Sequence, residues 1–198
     1  AVLGGHATDV QWRRTEAPND VSAWRAPQPI GCGTYPVFLS GPDGTLYMTV
    51  RGQGEQRHER GVDLYRCSPG GDWSGPLQIV KLAEEYRQAY AGFHMQMDVA
   101  SDGALHAIID FYEGEDEAGR GLHQATCYTR SRDGGRSWER ADGTPVRLPA
   151  RPEDLDILAR STRSRHEKLP PAEIRQGGLV VDSKGRPFAF YFDHGKAP

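Results

Sequence analysis

Short apolar runs alternate with polar turns centred on glycine, and the alternation repeats along the chain. Phe38-Leu39-Ser40 leads into the turn Gly41-Pro42-Asp43-Gly44, and Thr45-Leu46-Tyr47-Met48-Thr49-Val50-Arg51 follows. The same succession runs from Met97 to Asp110 around Ser101-Asp102-Gly103, and from Leu179 to Phe192 around Asp182-Ser183-Lys184-Gly185. A strand, a tight turn with glycine and a longer strand predict a β-hairpin at each place.

A second kind of segment falls between these hairpins and ends on tryptophan. It runs from Trp12-Arg13-Arg14 to Trp24, from Tyr65-Arg66-Cys67 to Trp73, and from Tyr128-Thr129-Arg130 to Trp138. These segments predict the outer strand pairs of the same units. The closing tryptophans stand 49 and 65 positions apart, a period that suits a four-stranded propeller blade with loops of variable length. The reading is all-β: a single, partial β-propeller of four-stranded antiparallel blades. At roughly 55 residues per blade, 198 residues supply three to four blades, so an incomplete ring with blades missing on both sides is expected. The expected divisions are 1-30, 31-80, 91-150 and a partial blade at 177-198, with 151-176 a charged insertion. Within that insertion Pro152 to Arg160 is expected to be helical, and Lys81 to Tyr90 a short helix or linker.

Ser131-Arg132-Asp133-Gly134-Gly135-Arg136-Ser137-Trp138 matches the Asp-box pattern S-x-D-x-G-x-[ST]-W at every defined position. Its physics is structural. Asp133 accepts from backbone N–H groups of the turn, Gly135 permits a positive φ, and Trp138 covers the hairpin with apolar area. Ser68 to Trp73 is a shortened copy, and Asn19 to Trp24 keeps only the Asp and the Trp.

Composition narrows the function. Apolar residues make up 37% of the chain, with 24 Gly and 14 Pro, too many turn formers for a helical bundle. The net charge of −3 comes without a basic tract, so no nucleic-acid footprint is indicated. No apolar run approaches the roughly 18 residues of a membrane helix, and no membrane partner is expected. Residues 1–5 lack the basic start and long apolar middle of a secretory signal, as a mature secreted chain also would. Cys32, Cys67 and Cys127 are too scattered for a disulfide framework. The acidic run Glu113-Gly114-Glu115-Asp116-Glu117 follows an apolar strand and reads as a solvated hairpin tip.

Thr34-Tyr35-Pro36-Val37-Phe38, then Asp43-Gly44-Thr45-Leu46, then Val50-Arg51-Gly52, and later the run from Tyr128 through Trp138 to Pro149, resemble the BNR-repeat (Asp-box) β-propeller family. That family contains ulvan-type polysaccharide lyases and is distantly similar to sialidases. The resemblance implies a lyase acting on a uronate-containing glycan. It also implies an acidic polysaccharide or oligosaccharide as partner and a secreted or periplasmic location; oligomeric state is left open. The catalytic groups it implies are two histidines, a tyrosine before a proline and an arginine closing the next strand. Tyr35 and Arg51 take the last two places, and Gly4-Gly5-His6 looks like the second histidine segment, the first falling before Ala1. His94, placed like Tyr35 in the next repeat, is a candidate substrate contact. Some lyases of the family hold a structural zinc. His58 and Cys67 would supply two ligands of four, and His123 with Cys127 would share a face if 122–128 is a strand. Neither pair makes a site, so no metal or cofactor is assigned.

β-Elimination removes the proton α to a uronate carboxylate and expels the glycosidic oxygen at C4. A guanidinium can pair bidentately with that carboxylate and keeps its charge at any working pH. A neutral phenol can protonate the leaving oxygen, and with its pKa lowered it can act as base; Tyr35 is left open to acid, base or both roles. His6 would assist Arg51 or orient the phenol. Because Pro36 follows, Tyr35 is expected to be extended. On residues alone, Arg51 reads first as a surface ion pair and Tyr35 first as a core tyrosine. Two other functions stay in view: a sialidase-type glycoside hydrolase, which needs an arginine triad, and a non-catalytic propeller binding glycan or protein.

Overall fold

Each predicted hairpin is closed by an aspartate that caps its own turn. Asp43 accepts from Thr45 N at 2.9 Å and Thr45 Oγ1 at 2.8 Å. Asp102 accepts from Ala104 N at 3.0 Å, and Asp182 from Lys184 N and Arg186 N, both at 2.9 Å. The glycine that follows each aspartate has a positive φ, +81° at Gly44, +87° at Gly103 and +75° at Gly185, where a side chain would be strained.

The computed structural model describes residues 2–3, 8–52, 61–81, 90–91, 95–115, 121–161 and 174–193. Its strands are β1 (Val2–Leu3), β2 (Thr8–Trp12), β3 (Gln28–Ser40), β4 (Leu46–Arg51), β5 (Val62–Cys67), β6 (Trp73–Val80), β7 (Tyr90–Ala91) and β8 (Gln96–Val99). They continue as β9 (Leu105–Glu115), β10 (Gly121–Ser131), β11 (Trp138–Glu139), β12 (Pro145–Val146), β13 (Asp156–Arg160), β14 (Ile174–Val181) and β15 (Pro187–Asp193). Pairing between the described strands is antiparallel, and Val80 of β6 also makes an isolated parallel bridge to Ala150.

The chain is a partial β-propeller. β3 to β6 form the first blade in sequence order, and β14 with β15 begins a third. Between them, β7 and β8 make the inner edge of a second blade, followed by β9, β10 and, on the outer side, β11 and β13. β3 crosses the expected division near residue 30. Its residues 28–33 pair with β2 and its residues 34–40 with β4.

Alternation along the strands sends apolar side chains into the gaps between blades. Val62, Leu64 and Ile79 of the first blade meet Leu105, Ile109, Phe111 and Trp138 of the second in one buried cluster. Fully burying an aliphatic or aromatic side chain of this size contributes about 2–3 kcal/mol. Val10, Met48, Val50 and Tyr65 fill the gap on the other side of the first blade. Val181 N donates to Asp98 Oδ2 at 2.7 Å, tying the third blade to the second.

The stretch expected to be helical is not. Pro152–Asp154 is a single 3-10 turn, and Asp156–Arg160 is β13, paired with Ala125–Tyr128 of β10. The outer edge of β10 is open beyond its short pairing with β11, and its backbone groups take a partner there in preference to local helix. Of the acidic run, Glu113 to Glu115 end β9, with Glu115 opposite Gly121, and Asp116 and Glu117 lie outside the described residues. The segment expected to be helix or linker, Lys81 to Tyr90, falls almost wholly outside the described residues.

Candidate functional site

The pairing of β3 with β4 slips where β3 begins to serve the first blade. Thr34 opposes Arg51, but Val37 opposes Thr49, so one extra residue is inserted around Tyr35 and Pro36, a β-bulge that re-aims a side chain. Tyr35 has φ +56°, not the extended backbone expected before a proline. The bulge demands a reversal that the local preference disfavours, and pairing on both sides enforces it. A bulky residue in the left-handed region is uncommon and marks stored strain.

That conformation lays the phenol ring against Arg51. The Arg51 guanidinium carbon sits 5.0 Å from the Tyr35 ring centroid, a cation–π arrangement. Tyr35 is 40% exposed and Arg51 is 4% exposed, so neither the core-tyrosine nor the surface-ion-pair reading describes them. Two residues sixteen positions apart meet at one end of the blade, ring outermost and charge beneath. Gly52 follows because a Cβ there would collide with the Asp63 carboxylate; burial pushes the Asp63 carboxyl up from its ordinary pKa.

His6, His94 and His58 lie outside the described residues. The Cys67 thiol donates to the carbonyls of Gly71 at 3.3 Å and Ser68 at 3.5 Å, and burial, helped by the charge of Asp72, pushes its pKa up. Among the described residues no group of three or more His, Cys, Asp or Glu is placed to hold a metal. His123 and Cys127 do not share a face. Register irregularities on either side of His123 turn it towards Asp110, whereas Cys127 packs into the core between the first two blades.

The second blade carries a polar pair that the sequence reading missed. His123 Nδ1 and Asp110 Oδ2 are 2.6 Å apart, both residues being buried, and the Tyr112 ring meets the imidazole edge-on at 4.9 Å. The signal was the repeat itself. Counted from the turn glycine, Asp110 is the counterpart of Arg51, although β9 runs on past it to Glu115. By the same count Gln176 is the counterpart of Tyr35. It is buried, and neither atom of its amide has a hydrogen-bond partner among the described residues.

The Asp box is bound as its pattern requires. Asp133 Oδ1 accepts from Arg136 N, Ser137 N and Ser131 Oγ, and Oδ2 accepts from Ser137 Oγ at 2.7 Å. Burial pushes this carboxyl up, but the hydrogen bonds together outweigh it and hold the pKa at about 2.

Antiparallel blades of this order, stacked around one side of a ring and carrying an Asp box, define a propeller of the BNR-repeat class. A family model described as "BNR repeat-containing family member" matches residues 1–197, and the chain belongs to that family. Among solved structures, a polysaccharide lyase, the PL25 ulvan lyase, superposes with a TM-score of 0.69 at 15% identity over 94% of this chain. The same lyase bound to -[GlcA(1-4)Rha3S]- superposes equally well, with a TM-score of 0.69. At that identity the likeness is one of fold. The chain spans 43% of the length of these structures. A search of curated proteins finds no match.

Proposed function

We propose that the chain is the tyrosine- and arginine-bearing part of a polysaccharide lyase that cleaves a uronate-containing glycan by β-elimination. The observation that carries this reading is the Tyr35–Arg51 pair: an exposed phenol held in a strained left-handed bulge, with a guanidinium 5.0 Å from its ring. Strain of this kind clusters at functional sites.

In this reading Arg51, with His6, neutralises the uronate carboxylate, so that charge developing there on loss of the α proton is stabilised. Tyr35 works at the reacting atoms. With the phenol in both roles, its phenolate takes the C5 proton, the C–H electron pair becomes the C4–C5 double bond, the C4–O bond breaks, and the leaving oxygen takes that proton back from the phenol. The phenol serves as acid, base or both. His94 is taken as a substrate contact.

Incubation of the protein with ulvan is expected to raise the ultraviolet absorbance of an unsaturated uronate. Tyr35→Phe is expected to lower the rate by about 10²–10⁴-fold, and Arg51→Ala by about 10²–10³-fold. Release of free acidic sugar with no unsaturated product would establish a sialidase-type hydrolase instead. Saturable glycan binding with no product over long incubation would establish a binding propeller.

A further inference from the structure

At the end of the blades remote from Tyr35, a cavity of about 380 Å³ opens between the first and second blades beside the Asp-box turn. Tyr47 on its wall lies roughly 13 Å along β4 from Arg51 at the ordinary rise of a strand. Two guanidiniums reach the cavity, Arg66 from β5 and Arg136 from the turn. Arg66 Nη1 donates to the Gly134 carbonyl at 3.1 Å, and Arg136 Nη1 donates to the Asp133 carbonyl at 2.6 Å. A guanidinium has five N–H donors, and neither of these arginines is ion-paired to a carboxylate among the described residues.

Gly134 gives the cavity its shape. It has φ +71°, and a Cβ on it would lie 3.1 Å from Tyr47 Oη, 3.8 Å from Arg136 Nη1 and 3.9 Å from Arg66 Nη1. Three donor-bearing groups therefore lie close together, the two guanidiniums each keeping N–H groups beyond the one given to a backbone carbonyl. Burial, with the charge of Asp43 behind it, pushes the Tyr47 phenol up, which keeps it a donor. The same walls carry Asp43, Asp102 and Asp133. Each already caps its own turn, but each repels a bare anion and accepts from hydroxyl groups. A lining of both signs selects a molecule that joins one acid group to neighbouring hydroxyls, and the volume is at the small end for ligand sites, the size of one sugar residue.

We propose that this cleft binds an acidic sugar unit, carboxylated or sulfated. Arg66, Arg136 and Tyr47 grip the acid group, and Asp43 and Asp102 accept from the ring hydroxyls. The site lies apart from the Tyr35–Arg51 pair and does not rest on the lyase reading.

An NMR titration with methyl glucuronide, a sulfated monosaccharide, glucose and inorganic sulfate tests it through the amide shifts of Gly103, Gly134 and Gly135. Saturable shifts are expected with the acidic sugars, at an affinity about tenfold or more above that for glucose or sulfate. Arg136→Ala is expected to weaken them about tenfold, and the charged Arg136→Lys should fall between. Arg136 is exposed in its turn, so these variants keep the fold. Shifts that persist in Tyr35→Phe place the ligand here and not at the other end. Equal binding of inorganic sulfate, no response to either acidic sugar, or binding indifferent to Arg136→Ala would each overturn the proposal.

Discussion

Tyr35 sits in a backbone conformation that costs an L-residue about 1–2 kcal/mol and costs glycine almost nothing. The cost can be measured separately from the ring. Tyr35→Gly and Tyr35→Ala both remove the phenol, yet the glycine variant is expected to be more stable by about 1 kcal/mol in urea unfolding; equal stability would show that the bulge relaxes. Asp133 has the opposite character, a residue stabilised by its surroundings. Its folded pKa of about 2 lies below the ordinary value of 3.8, so its contribution is full above about pH 4 and is lost as pH falls towards about 2. Asp133→Asn is therefore expected to flatten the acid limb of the stability profile, by no more than about 2 kcal/mol. Asp133 was legible in the sequence because an Asp box is a local pattern. The backbone of Tyr35 was not, because the rule for a residue before proline is also local, and cross-strand pairing overrides it.

At the scale of elements, the inner strand's register slips in each of the three blades, by one residue at Tyr35, by two in the second blade and by one in the third. Ala91 opposes Phe111 while Gln96 opposes Ile108, and Gln176 opposes Tyr191 while Gly178 opposes Phe190. The inner pairing of these blades thus shifts over the same stretch, and the partner-strand side chains there differ: Arg51, Asp110 and Phe192. The second blade uses the place for a buried ion-pair geometry. Asp110→Ala leaves the His123 ring without this acceptor and is expected to cost about 3 kcal/mol in chemical denaturation; a loss under about 1 kcal/mol would mean that the imidazole finds another partner. The hairpins were legible from their turn residues and alternation. The Asp110–His123 pair was not, because its partners face each other only after two register shifts. β13 was misread for a related reason, since an open edge on β10 decides its conformation and no local signal reports that edge.

Across the whole molecule, one face is left apolar. Val180, Phe188, Phe190 and Phe192 of the third blade are 46–61% exposed, and alternation puts them together on the side turned away from the second blade. In a closed ring that side of a blade is covered by its neighbour, and a contiguous exposed patch of aromatic residues promotes association. The 198-residue chain is expected to self-associate in sedimentation, and Phe190→Ser to shift it towards monomer; a monomer at all concentrations would show that the patch is too small to matter. That the ring is incomplete was legible from the repeat length alone. Which faces are bare depends on how the last hairpin packs, and that emerges only in three dimensions.

β3 belongs to two sheets at once. A propeller whose blades are joined only by loops can lose one as a string loses a bead. Here the thread itself is woven into both fabrics, so fraying at β2 runs straight into the first blade, and the strain at Tyr35 sits at the seam where the two would tear.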